Sequence, residues 1–231
     1  MAYYGLIPNW FYGVDSLFEV FSLVVALLIA LFSYRVYQHT KQRNQFYFSV
    51  AFLTLGFSYL FKVVSNIMVY REVPETVELG IVSVQSFLLE QVAWSVTLKT
   101  IMYPLYKLLF LMALTLLLLS VAGAMKRRYY PMYFYFIFVS AVSSIHEDIV
   151  FYIISTVLLG LIAFYYYLNF LKNKTRNKRW VMYSFFILAF SGLMIALIEF
   201  SGWLYVLGEF LQLVAYLILL MVFIGIIKKN G

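Results

Sequence analysis

The sequence predicts an all-α integral membrane protein. Seven transmembrane helices are expected, N-terminus outside and C-terminus inside, as two parallel three-helix repeats joined by a linker helix. Three observations predict it. First, 65% of the residues are hydrophobic, against roughly 45–50% in an ordinary soluble domain. They are gathered into runs long enough to span a bilayer, which takes about 20 residues. Second, charge alternates between the runs. Every second connecting segment is basic: Arg35, Lys41 and Arg43; Lys126, Arg127 and Arg128; Lys172, Lys174, Arg176, Lys178 and Arg179; Lys228 and Lys229 at the end. These are thirteen of the seventeen Lys and Arg, with no acid among them, and the ten Asp and Glu lie in the alternate segments or the helix ends beside them. Short basic loops stay cytoplasmic during insertion, so the number of crossings is odd. Third, the chain repeats itself.

Taken in order, the apolar runs place span one at 15–37, span two at 46–69, span three at 100–124, span four at 130–145, span five at 148–171, span six at 180–200 and span seven at 203–227. Span four is short. Only 17 residues separate Arg128 from His146, about 26 Å of helix, so it is expected to stand upright or thin the bilayer locally. Aromatic residues cluster near several span ends, as at Trp10, Phe11 and Tyr12, at Tyr165, Tyr166 and Tyr167, and at Trp180 and Trp203. Interfacial belts have that composition. Residues 70–99 form an insertion on the outer side. Its stretch 87–94 suits either an amphipathic helix at the outer interface or a helical extension of span three.

The repeat is visible without gaps. A shift of 133 overlays 15–60 on 148–193 with 16 identities in 46 positions. They include Asp15/Asp148, Ser22/Ser155, Ile29/Ile162, Tyr34/Tyr167, Lys41/Lys174, Arg43/Arg176, Asn44/Asn177, Phe52/Phe185, Phe57/Phe190 and Ser58/Ser191. A shift of 102 matches spans three and seven, as in Tyr103/Tyr205, Ala113/Ala215, Leu117/Leu219 and Gly123/Gly225. The whole of 1–231 is thus one transmembrane domain, with a first repeat over 15–124, a linker helix at 130–145 and a second repeat over 148–227. Both repeats start outside, so the expected pseudo-two-fold axis runs along the membrane normal.

This seven-helix plan resembles that of SWEET-type sugar transporters and of opsins and receptors, in architecture alone but over the whole chain. The resemblance to retinal proteins implies a lysine inside span seven. Only Lys228 and Lys229 are there, at its cytoplasmic end, so no retinal or other cofactor is expected. SWEET-type transporters flex at prolines within their bundles. Here the prolines are Pro8, Pro74, Pro104 and Pro131, with Pro104 near the outer end of span three and Pro131 opening span four. Neither activity carries over by motif, and shared architecture does not convey function.

Ionisable residues within spans are costly and face bundle interiors or water-filled cavities. In this chain they share the outer half. Asp15 and Glu19 lie four apart on one face of span one. Lys62 and Asn66 share a stripe of span two with Ser58 and Ser65, and Tyr103 and Lys107 lie on span three. Glu199 ends span six, and Tyr205, Glu209 and Gln212 line span seven, with Tyr216 near mid-depth. The candidate ligand-binding residues are therefore Asp15, Glu19, Lys62, Asn66, Tyr103, Lys107, Glu199, Tyr205, Glu209 and Gln212. Lys107 and Glu209 occupy equivalent places in the repeats and are expected to pair or to share a ligand. The inner halves, 116–122 and 217–223, show no polar stripe toward the cytoplasm.

Other functions find little purchase. The net charge of +7 follows from topology; anionic inner-leaflet lipid is its expected counter-charge, and no nucleic acid is expected. The chain has no cysteine, which excludes disulfides, thiolate metal sites and thiol nucleophiles. His39 and His146 are predicted on opposite sides, so no three-histidine zinc site is expected, and no catalytic residue is assigned. Asp15 and Asp148 open spans one and five. They suit N-capping, where a carboxylate satisfies free backbone donors, or else acid–base work on a lipid head group. The Asn173-Lys174-Thr175 sequon falls in a predicted cytoplasmic loop.

The function expected is a polytopic protein of the cell membrane that binds a small ligand, lipid or ion in a polar site open to the outer side. It would act as a receptor- or sensor-like subunit, through a cytoplasmic or membrane partner that reads the basic loops. The alternative is a small-solute or ion transporter of parallel-repeat design. A lipid-acting hydrolase is third.

Overall fold

The computed structural model describes residues 8, 11, 13–71, 82–122, 138–140, 142, 148–172 and 174–230, with backbone alone for 68–71, 82–99 and 226–230. Six long helices account for most of them: α1 (Val14–Thr40), α2 (Arg43–Arg71), α3 (Val82–Ala122), α4 (Asp148–Lys172), α5 (Arg176–Ala196) and α6 (Gly202–Asn230). Each contains a segment long and apolar enough to cross a membrane. These segments match expected spans one, two, three, five, six and seven, and the chain is a membrane-embedded, polytopic α-helical protein. Of expected span four, residues 138–140 and 142 are helical; the remainder lies outside the described residues, as do Lys126, Arg127, Arg128, His146 and Glu147.

Local chemistry sets the helix ends. Gly13 precedes α1 with φ 88°, a left-handed conformation that glycine adopts without strain. The Asp15 carboxylate accepts from the Gly13 N–H at 3.1 Å and the Ser16 N–H at 2.7 Å, occupying donors that the first turn leaves unpaired. At the other end Lys41 turns left-handed (φ 54°) and its N–H reaches the Tyr37 carbonyl at 2.8 Å, closing the helix as αL caps do. Only Lys41 and Gln42 separate α1 from α2. Residues 82–99 continue the third span as one helix of 41 residues, so this stretch of the insertion is a helical extension. Pro104 lies inside it, just past the start of the membrane segment at Thr100, and supplies no N–H to the helical ladder. The sixth span is shorter than expected. Helix α5 ends at Ala196, and 197–200 form turns before α6 starts at Gly202.

The helices close a ring. Each packs on its neighbours in chain order, and α6 returns to α1. Packing is more extensive among α1, α2 and α3, and among α4, α5 and α6, than at the two seams, α3 with α4 and α6 with α1. The outer wall of the ring is apolar and exposed, with Leu17, Val24, Leu31, Phe57, Val157, Phe190 and Phe210 among its members. Lipid tails are the solvent such a surface suits.

Burial follows the sequence repeat. Ser22 and Ser155, Ile29 and Ile162, Phe52 and Phe185, Leu55 and Leu188, and Ser58 and Ser191 are all buried. Val24 and Val157, Leu53 and Phe186, and Leu60 and Leu193 all face outward, and Phe57 and Phe190 are 49% and 50% exposed. On α3 and α6, Lys107 and Glu209, Ala113 and Ala215, and Leu117 and Leu219 are buried in pairs.

Hydroxyls bond the backbones of neighbouring helices. Ser49 Oγ donates to the Ala30 carbonyl at 2.7 Å, Ser120 Oγ to the Asn44 carbonyl at 2.8 Å and Ser191 Oγ to the Gly208 carbonyl at 2.9 Å. Small residues allow this approach. A Cβ on Gly208 would stand 2.5 Å from Ile195 Cγ1 and 3.1 Å from the Ser191 carbonyl oxygen, whereas one on Gly160 would meet nothing within 4 Å. Replacing Gly208 with Val is therefore expected to push α6 off α5 and to lower stability by about 1–3 kcal/mol. Gly160→Ala should raise it by about 0.5–1 kcal/mol, the helical penalty of glycine. Thermal unfolding in detergent, followed by circular dichroism, measures both.

Candidate functional site

The costly charges of the membrane segments meet in two clusters, one at each seam of the ring. At the α6–α1 seam, Glu19 of α1, Lys62 and Asn66 of α2 and Glu209 of α6 converge. Lys62 Nζ lies 2.7 Å from Glu19 Oε1 and 3.1 Å from Glu209 Oε1. The Asn66 amide nitrogen donates to both Glu19 oxygens, at 3.0 and 2.9 Å. Glu19 and Glu209 are essentially inaccessible, and Lys62 and Asn66 are buried. At the α3–α4 seam, Lys107 Nζ lies 2.8 Å from Asp148 Oδ1, and the Tyr103 hydroxyl donates to the same oxygen at 2.8 Å. The Lys107 ammonium also stands over the Tyr103 ring, 4.8 Å from its centroid, a cation–π distance.

Between the seams runs a polar thread. The Tyr59 and Tyr216 hydroxyls lie 2.7 Å apart, and the Gln212 amide donates to Tyr59 at 3.1 Å. Glu209, Gln212 and Tyr216 share one stripe of α6, at spacings of three and four. They line an internal cavity of about 30 Å³ together with Lys62, Tyr59, Tyr106 and Tyr152. That space holds about one water-sized body. The end away from the charged groups is apolar, walled by Phe52, Leu55, Leu114, Leu117, Phe185 and Leu188.

The structure thus brings together Glu19, Lys62, Asn66 and Glu209, adds Gln212 through Tyr59, and sets Tyr103 and Lys107 apart with Asp148. The Asp15 carboxylate accepts from backbone N–H groups at the start of α1, and the Asp148 carboxylate from Tyr103 and Lys107. Tyr205 packs beside Phe11, Ile195 and Ile198, its ring edge-on to Phe11 at 6.0 Å. Glu199 is exposed beside the α5–α6 turn.

Two expectations are corrected. Lys107 and Glu209 do not pair. Helix α3 abuts α4 whereas α6 abuts α1, so equivalent positions face different seams, and each charge finds its partner across its own. The site is also closed rather than open to the outside, because its charged groups are packed among α1, α2 and α6 and satisfied largely by one another. Sequence reasoning missed Tyr59 and the role of Asp148 as partner of Lys107. Tyr59, Lys62 and Asn66 follow at spacings of three and four, a stripe that would have found the tyrosine. Nothing in the sequence points from Lys107 to Asp148, 41 residues on.

Fold and site define a polytopic membrane protein with a charged core. Comparison of the chain with protein-family models, with curated proteins and with solved structures gives no match.

Replacing one partner of a buried ion pair strands the other charge and costs about 3–5 kcal/mol. Lys62→Met is expected to destabilise the protein on that scale, and adding Glu19→Gln and Glu209→Gln should recover most of the loss, as read from unfolding midpoints. A double-mutant cycle separates the seams. Lys107→Met should couple strongly with Asp148→Asn and be additive with Glu209→Gln.

Proposed function

We propose that this protein is a receptor- or sensor-like membrane subunit that binds a small ligand in the core between two like three-helix blocks. The observation that carries this reading is the Glu19–Lys62–Glu209 cluster. It joins the first block to the last helix of the second, through charges that any ligand of altered charge would redistribute. Binding there would act on the α6–α1 seam, where packing is thinner than within the blocks. A change in that seam reaches the basic end of the bundle, where Arg35, Lys41, Arg43, Lys172, Lys174, Arg176 and Arg179 are exposed and available to a cytoplasmic or membrane partner.

The duplicated-block architecture is part of the proposal. It is supported by the fixed shifts in the sequence, by matching burial at repeat-equivalent positions and by a contact ring that keeps its order when α1, α2 and α3 are exchanged for α4, α5 and α6. The proposed setting is the cell membrane, N-terminus outside, supported by the basic segments between spans.

A second reading, a small-solute transporter, is favoured by one observation: the cavity lies between the blocks, where parallel-repeat transporters hold their substrates. Its apolar end favours the first reading, because a polar solute needs a polar path in at least one state. Proteoliposome uptake separates the two. A binding subunit is expected to show saturable ligand stabilisation without solute accumulation; accumulation abolished by Glu209→Gln would establish transport instead.

A further inference from the structure

The two carboxylates that flank Lys62 are not equivalent. Glu19 has donors on both oxygens, Lys62 and Asn66 on one and Asn66 on the other. Glu209 has Lys62 on Oε1, while its buried Oε2 has no hydrogen-bond partner among the described residues. Such an oxygen is expensive when it is buried. The formal charge of the cluster points the same way. When both carboxylates are ionised, two face one ammonium, and one negative charge has no counter-charge among the described residues where the membrane penalises it.

Glu209 lines the internal cavity of about 30 Å³, with room for about one water-sized body. The titratable groups gathered around it are Glu19 from α1, Tyr59 and Lys62 from α2, Tyr106 from α3, Tyr152 from α4, and Tyr205 and Tyr216 of α6 itself; α5 contributes Gly192 and Ile195. The only full positive charge in that set is Lys62, which two acids already share. The tyrosines in that set and Phe110 and Phe151 put aromatic rings on the wall among leucines, and ring faces attract cations.

We propose that Glu209 Oε2 anchors a site for a singly charged, hydrogen-bond-donating cation of about the size of water, either ammonium or a proton carried as hydronium. This inference rests on reading the cluster as a ligand site and names its ligand class. The occupant completes the charge balance, donates to the one orphaned oxygen and lies against aromatic faces. A bare alkali ion suits the site less well. It needs a ring of oxygens to replace its hydration shell, and this cavity offers one free carboxylate oxygen, an amide and a few hydroxyls among rings.

The test is thermal unfolding of the purified full chain in detergent, in ammonium chloride and in potassium chloride at equal ionic strength and mildly alkaline pH. Potassium has the charge without the N–H donors. Ammonium is expected to raise the midpoint of the wild type by several degrees over potassium, and tetramethylammonium to give no rise. Glu209→Gln, which removes the surplus negative charge, should unfold at one temperature in all three salts. A rise produced instead by mild acid in potassium alone, and absent from Glu209→Gln, identifies the proton as occupant. Should the variant not fold, the wild type still decides, because a site that reads donors must prefer ammonium or acid over potassium. Equal response to ammonium and potassium with no response to acid overturns the proposal, and so does a response that Glu209→Gln retains. Another small solute that stabilises the wild type and not Glu209→Gln overturns the cation class while the ligand site stands. Silence to all solutes removes both.

Discussion

A charge placed inside a membrane must find its opposite, and the rest of this structure depends on how that is arranged. An ionisable group at the centre of a spanning helix costs roughly 2.5–3.5 kcal/mol on insertion scales. Here Glu19, Lys62, Lys107 and Glu209 are all buried. Apolar side chains do little to choose helix partners in lipid, because the tails around them are equally apolar. The ion pairs supply that choice. Lys62 with its two acids ties α6 to α1 and α2, and Lys107 with Asp148 ties α3 to α4. Both lie at seams of the ring, where packing is thinnest and a specific contact decides most.

Within each block a different device operates. Serine hydroxyls bond the carbonyls of adjacent helices, and glycines let backbones close in. The close contact at Gly208 immediately precedes Glu209, so the packing of α6 on α5 sets where the Glu209 carboxylate stands. Site and scaffold are joined there. The end of the cavity away from the charged groups is closed by aromatic and leucine side chains, Phe52, Leu55, Leu117 and Leu188 among them. A cavity polar at one end and apolar at the other therefore follows from where the polar residues sit along each helix.

Depth and direction were unequally legible. Hydropathy and charge alternation located six helices to within a few residues at most ends, because lipid imposes length and apolarity on every spanning segment. The observed sixth span is shorter than the hydrophobic run, since Leu197, Ile198 and Phe200 continue that run around Glu199 while the backbone leaves the helix there for turns. The residues of the charged core were also readable, as polar positions in apolar runs. Their partners were not. The sequence pairs Lys107 with Glu209 because they are opposite in sign and equivalent in the repeat, yet they face different seams.

By itself, the sequence determined that the chain is membrane-embedded, where six long apolar helices run and which few side chains carry charge into the core. Those properties are local: they depend on a residue and its neighbours along one helix. Only the tertiary structure decided that Lys62 serves both Glu19 and Glu209, that Asp148 answers Lys107, that Tyr59 meets Tyr216 and that one oxygen of Glu209 has no partner among the described residues. Those outcomes depend on how helices are rotated and ordered about a common axis. A periodic pattern defines the face of a helix and leaves open which neighbour that face will meet.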